Sequence, residues 1–262
     1  MSLRAFLRAV ILGAIVLVAA AAPAAAQSLA GYGVILMHGK EGGPGDLTRI
    51  ADAIRAKGGL AVTPTMPWAR GTLYAKGYLD AMEDMRAVAA QLKAQGAKKI
   101  LVGGHSLGAN AALFIGGHAD VAGVIVIAPG HFPESPAFAG NPKVAADVAR
   151  AKSLVETGQG DVAGTFTDLN QSNTLTVRAT PKAYLSYLDP VGPASFGHNA
   201  RSVKPVPVFF AVGTGEPSFE GSRRLFQFAA KNPKSKFVSV TGGHTDVPGR
   251  AAADIVAWLL EL

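Results

Sequence analysis

The stretch Ile100-Leu101-Val102-Gly103-Gly104-His105-Ser106-Leu107-Gly108-Ala109-Asn110-Ala111-Ala112-Leu113 passes from an apolar run, through a glycine-flanked serine, into small helix-compatible residues. Within it, Gly104 to Gly108 spell G-x-S-x-G. That pattern carries chemistry when a strand precedes it and a helix follows. The serine then occupies a sharp turn whose neighbours must be nearly free of side chains, and its hydroxyl projects from the top of a sheet. Five residues alone are a weak signal, so the surrounding chain decides.

Outward from this turn, short apolar runs alternate with helical patterns. Gly33 to Met37, Leu60 to Thr63, Lys99 to Val102, Gly123 to Ile127, Val206 to Val212 and Lys236 to Val240 read as buried strands, too short for helices and bounded by Gly, Pro or polar residues. Between them, Leu47, Ile50, Ala51 and Ile54 fall at i, i+3, i+4 and i+7 after Asp46, a candidate cap. Tyr78 to Gln95 carries a similar stripe, and Arg250 to Leu262 reads as a final helix. Near-continuous Val/Ile/Leu strands alternating with helices predict an α/β chain: a mostly parallel sheet of about six strands, with helices on both faces. More than 70 residues separate the strand ending near Ala128 from the one starting near Val206. They contain helix-like pieces at Val144 to Glu156 and Pro181 to Leu188, and the interval, about residues 130–204, is expected to form a cap over the sheet.

Residues 1–26 read as a secretory signal peptide: Arg4 and Arg8 in a basic start, an apolar run from Ala9 to Ala22, and Pro23-Ala24-Ala25-Ala26 as an A-x-A-like cleavage site. An uncleaved anchor is the competing reading, but the run is short and alanine-rich for a span. A periplasmic or secreted protein is expected, with residues 27–262 as one domain. The chain has no Cys, which excludes disulfides, thiolate metal ligands, a thiol nucleophile and a lipid-anchored lipoprotein. Two of the +7 formal charges belong to Arg4 and Arg8. The remaining excess is compatible with an anionic membrane surface or acidic substrates, yet no segment points to a membrane partner. No basic cluster with interleaved aromatics supports nucleic-acid binding. No paired His/Asp spacing supports a metal. Gly42-Gly43-Pro44-Gly45 lacks the spacing and the Gly-Lys-Ser/Thr ending of a phosphate loop. Oligomeric state is not legible.

His38-Gly39-Lys40 after the first strand and Gly-His-Ser-Leu-Gly-Ala after the third resemble the α/β-hydrolase family over nearly the whole mature chain, closest to small exported esterase-like enzymes. The family's N-terminal antiparallel hairpin has no counterpart in the few residues before Gly33. The resemblance implies a chain order of serine, acid, histidine. A serine hydroxyl is a poor nucleophile at neutral pH and needs a base, itself oriented by a carboxylate. His244, in Thr241-Gly242-Gly243-His244 after the last strand, is the one histidine downstream of Glu216, which follows the Val206 to Val212 strand. Ser106, Glu216 and His244 are therefore the expected catalytic residues, with Glu220 and Glu134 as alternative acids. The backbone amides of Leu107 and, by resemblance to the H-G-x type, Lys40 are the expected oxyanion donors. Trp68, His131 and Phe132 lie just beyond strand ends, where pockets of α/β sheets open, and are candidate substrate contacts. The implied activity is cofactor-free cleavage of a small-molecule carboxylic ester or thioester. Acyl transfer or peptide cleavage by the same residues, or a catalytically silent binding protein, are the rivals.

Overall fold

The computed structural model describes residues 28–171 and 173–262; the expected signal segment lies outside them. The first half alternates β1 (Tyr32–Met37), a 3-10 turn (Pro44–Leu47), α1 (Thr48–Arg55), β2 (Leu60–Val62), α2 (Tyr78–Ala94), β3 (Lys99–Ser106), α3 (Leu107–His118) and β4 (Gly123–Pro129). Asp46 does not cap α1. It lies inside the 3-10 turn, where its carboxylate accepts the Gly43 amide at 3.0 Å, so the turn itself leads into the helix.

An insert follows: α4 (Pro136–Ala139), α5 (Pro142–Glu156), β5 (Gly164–Asn170), β6 (Asn173–Ala179), α6 (Pro181–Leu188) and α7 (Phe196–Ser202). Both longer helices begin by one device. Asn141 and Thr180 accept the orphan amides of Val144 and Ala183 through their side chains, and a proline fills the first helical position, where its missing N–H costs nothing. Between them β5 and β6 form an antiparallel hairpin that the sequence reading did not anticipate. Its inward positions are Phe166, Asp168, Val177 and Ala179, and the carboxylate among them breaks the apolar alternation that would betray a strand.

The chain then returns to the sheet as β7 (Val208–Gly213), α8 (Phe219–Ala229), β8 (Lys236–Val240), α9 (Val247–Arg250) and α10 (Ala252–Leu260). The single final helix of the sequence reading is thus two pieces. The first starts earlier, with Pro248 in its opening turn.

Six strands form one all-parallel sheet in the order β2-β1-β3-β4-β7-β8. Because successive side chains point to opposite faces, every second strand residue enters a different core. Val34, Leu36, Leu101, Ile125, Ile127 and Phe209 pack with α1 and α10. Ile35, Met37, Val102, Val124, Val126 and Phe210 pack with α2, α3, α7 and α8. Both faces are covered, which is why these strands read as unbroken apolar runs. Parallel strands also bring all their C-terminal ends to one rim, where Met37, Ser106, Pro129, Gly213 and Val240 end their strands.

Candidate active site

Ser106 ends β3 and immediately precedes α3, with φ 57° and ψ −118°, a conformation L-residues rarely adopt. Such strain persists only where its surroundings over-determine it. Two glycines make the turn feasible: a Cβ on Gly104 would run into the Gly108 carbonyl group, and one on Gly108 into the Met37 carbonyl. On the neighbouring strand end, a Cβ on Gly130 would stand 2.6 Å from Ser106 Oγ and 3.4 Å from His244 Cε1. The serine hydroxyl and the histidine ring therefore border the same small space.

Glu216 and His244 arrive from adjacent strand ends. The Thr214 amide donates to Val240 O at 2.8 Å and the Gly215 amide to Gly242 O at 3.0 Å, zipping the two loops together beyond β7 and β8. Glu216 is 7% exposed; its Oε1 accepts the Gly213 amide at 3.0 Å, and its Oε2 lies 2.8 Å from His244 Nδ1. A carboxylate on Nδ1 fixes the proton there and leaves Nε2 as the free basic nitrogen. The hydrogen bonds of His244 are to Glu216 and, through its carbonyl, to His105; the Ser106 hydroxyl makes none among the described residues. Contacts of this kind commonly close only around substrate. The alternative acids are placed elsewhere. Glu134 accepts the amides of Phe196 (3.2 Å) and Gly197 (2.6 Å) at the start of α7, and Glu220 lies in the first turn of α8.

The turn after β1 passes directly over Ser106, close enough that a Cβ on Gly39 would be 3.0 Å from Ser106 Cβ. It is pinned from behind. His38 Nδ1–H donates to Gly39 O (2.8 Å), while its Nε2 accepts the Met66 amide (3.0 Å). Burial holds the His38 pKa below its usual value, so the ring keeps this neutral tautomer. The Trp68 indole donates to His38 O at 2.7 Å, and the Glu41 amide donates to Trp68 O at 2.9 Å. This corrects the sequence reading of Trp68. It is fully buried and lines neither cavity at Ser106, because its N–H takes an acceptor beneath the loop rather than facing substrate. Lys40 also has an unforeseen side-chain role. Its Nζ is buried, 2.6 Å from Asp168 Oδ2 and 2.7 Å from Leu169 O on β5.

Two cavities open at Ser106 and His244. One, about 430 Å³, runs beneath Glu41, Asp46 and Arg70; the other, about 540 Å³, is bounded by His131, Phe132, Phe138 and Pro217. His131 and Phe132 both border the second cavity. Phe132 also packs on Phe196 with centroids 4.6 Å apart. His131 has φ 61°, donates from Nε2 to Tyr187 O at 2.8 Å, and leaves Nδ1 buried without a partner. Burial, reinforced by Lys40, pushes its pKa down to about 3.

His105 behaves alike. Its Nε2 donates to His244 O (3.0 Å), and burial, with His244 beside it, lowers its pKa to about 4. Both rings are neutral in the folded protein at pH 5 but protonated in the unfolded chain, whose histidines titrate near 6.5. The unfolded state then binds more protons, so stability falls as pH drops from about 6.5 toward 4. For His105 alone the loss is on the order of 3 kcal/mol. The melting temperature is expected to fall steeply between pH 7 and 4.5, and less steeply in His105→Gln, which keeps a donor for the His244 carbonyl. An unchanged slope in that variant would remove His105 from this account.

A family model described as "Alpha/beta hydrolase family" matches residues 28–258. The chain belongs to the α/β-hydrolase family. Solved structures of other hydrolases superpose on it along most of their length. A monoacylglycerol lipase of Paleococcus ferrophilus is 21% identical with a TM-score of 0.62, covering 87% of this chain and 94% of its own. A structure from the work on the metagenome-derived lipolytic enzymes LipS and LipT is 15% identical at TM-score 0.61, covering 90% and 96%. The esterase domain of a Rhodothermus marinus protein is 20% identical at TM-score 0.56, covering 91% and 90%. No curated protein sequence matches. At these identities the structural likeness establishes the fold.

Within this α/β-hydrolase, one part of the rim was not anticipated from the sequence. Asn110, one helical turn after Ser106 on α3, donates to His131 O (3.1 Å) and Ala194 O (2.7 Å) and accepts from Tyr78 OH (2.7 Å) and Asn199 (3.1 Å). It ties the strained 130–131 turn and the insert to the serine helix. A lone Asn among the small and apolar residues that follow the serine turn is the one clue the sequence offered.

Proposed function

We propose that this α/β-hydrolase cleaves a carboxylic ester or thioester of a small molecule through an acyl-enzyme on Ser106. The observation that carries the reading is the buried Glu216 carboxylate, 2.8 Å from His244 Nδ1, at the rim where the strained Ser106 turn opens. In this reading His244 Nε2 takes the Ser106 proton as Oγ attacks the acyl carbon. The amides of Leu107 and Lys40 hold the developing oxyanion. His244 then gives the proton to the leaving alkoxide or thiolate, the C–O or C–S bond breaks, and water repeats the sequence to release the acid. Glu216 keeps Nδ1 protonated and stabilises the imidazolium. No cofactor enters these steps.

The esterase and lipase neighbours support an ester substrate in coarse terms. The apolar cavity at Phe132 and Phe138 suits an acyl chain; the polar one, beneath Glu41, Asp46 and Arg70, suits the alcohol. The test is incubation of the purified mature protein with a fluorophosphonate probe, alongside hydrolysis of nitrophenyl esters of increasing chain length. One phosphonylated serine per chain and measurable hydrolysis are expected. Neither labelling nor hydrolysis would favour a silent binding protein, and ester product formed only with an added alcohol would favour acyl transfer. Export to the periplasm or beyond belongs to the same proposal and rests on residues 1–26 alone.

A further inference from the structure

Three contacts join the turn after β1 to the tip of the β5–β6 hairpin. Lys40 Nζ reaches Asp168 Oδ2 (2.6 Å) and Leu169 O (2.7 Å), and Asn170 Nδ2 donates to Glu41 Oε2 (2.9 Å). The hairpin belongs to the insert and, among the described residues, forms a sheet separate from the main one. Asp168 is wholly buried and fully engaged. Its Oδ2 also accepts Tyr74 OH at 2.7 Å, and its Oδ1 accepts the Leu169 amide at 2.6 Å. Lys40 Nζ sits 5.3 Å from the centre of the Phe138 ring and 5.9 Å from that of Tyr74. A buried ion pair costs much desolvation and is seldom retained for stability alone. The turn it grips is the one that passes over Ser106. Its next residue, Glu41, is held at φ 57°, a strained conformation for a side chain of that size.

We infer that the Lys40–Asp168 pair, with Asn170 on Glu41, is a strap by which the insert sets the position of the oxyanion turn. The inference rests on the proposed acyl-transfer chemistry at Ser106. Lys40 contributes its amide to the oxyanion directly, whereas Asp168 acts through Lys40 and is a positioning residue. The Lys40 side chain is not a free cation offered to substrate, since its charge is matched by Asp168 within the protein. The site is therefore suited to uncharged acyl groups rather than anionic ones. A misplaced oxyanion donor costs turnover more than binding, because it acts on the transition state.

Removing either charge alone leaves the other buried and unpaired, so the informative variant is Lys40→Met with Asp168→Leu, which replaces the pair by apolar side chains. Three measurements are made on this double variant and the parent: thermal unfolding, kcat and KM for a neutral nitrophenyl ester, and amide hydrogen exchange of peptides covering residues 38–45. The strap predicts a folded variant with a lower melting temperature, since Tyr74 OH and the Leu169 amide lose their acceptor, together with kcat at least tenfold lower, KM changed by less than threefold, and exchange at residues 38–45 at least tenfold faster. Peptides from β3 and β4 stay unchanged. Unaltered kcat in a folded double variant overturns the strap, as does a fall in kcat without faster exchange. An inactive parent with faster exchange in the variant would instead sink the hydrolase reading while keeping the strap.

Discussion

Ser106→Ala is expected to abolish fluorophosphonate labelling and to lower ester turnover by a factor of about 10⁶, with no loss of thermal stability. The separation of activity from stability follows from the turn. Ser106 Oγ makes no hydrogen bond among the described residues, so its removal orphans no partner. Alanine meets the same backbone strain at φ 57° that serine already bears. Only the nucleophile is lost, and the residual rate is what the oxyanion donors and substrate binding supply without it. Turnover by nitrophenyl ester assay, labelling by in-gel fluorescence and melting by circular dichroism check the three parts. Labelling that persists in the variant would show that another residue is the nucleophile.

Glu216→Gln is expected to cost about 10⁴-fold in kcat while leaving the fold intact. The Gly213 amide is what makes the effect so large. It donates to Oε1 of Glu216 at 3.0 Å, and in the variant it would hold the glutamine's oxygen in that position. The NH2 group then faces His244 Nδ1, where Oε2 now lies at 2.8 Å. Two donors cannot share that contact, so His244 must carry its proton on Nε2, the nitrogen that should accept from Ser106. The variant stabilises the wrong tautomer. Glu134→Gln serves as the control: its carboxylate accepts two amides at the start of α7, so its loss should lower the melting temperature and spare the chemistry. Were the two variants to exchange phenotypes, Glu134 would be the acid.

The parts of the rim that were legible are those where local chemistry and global position agree. The central strands β1, β4 and β7 stood out because both faces are buried and apolar residues run through them almost unbroken. The serine turn stood out because its glycines are demanded by backbone approach rather than by chance composition. Strand β3 was read only to Val102, since Gly103 and Gly104 carry no side chain to signal a strand; the structure runs it to Ser106. The hairpin stayed hidden because an inward Asp168 is intelligible only with its partner, Lys40, which lies 128 residues away. Trp68 was misread for a related reason. Its place after β2 pointed to the rim, but an indole N–H buried beside a free carbonyl follows the hydrogen bond instead. Of the three candidate acids, Glu216 is the one whose carboxylate lies beside His244 Nδ1, on the paired loops beyond β7 and β8.

The sheet ends on its two shortest strands, β2 with three residues and β8 with five. Long flat edges are templates on which a second chain can build, and short ones offer too few unpaired amides to reward it. Lys236 opens the β8 edge with a charge that a neighbouring strand would have to desolvate. Among the described residues no antiparallel strand covers either edge of the sheet, so edge length and charge are what discourage self-assembly there. Lengthening β2 would therefore endanger solubility, and a change at its C-terminal end would also reach Met66 and Trp68, which hold the turn over Ser106.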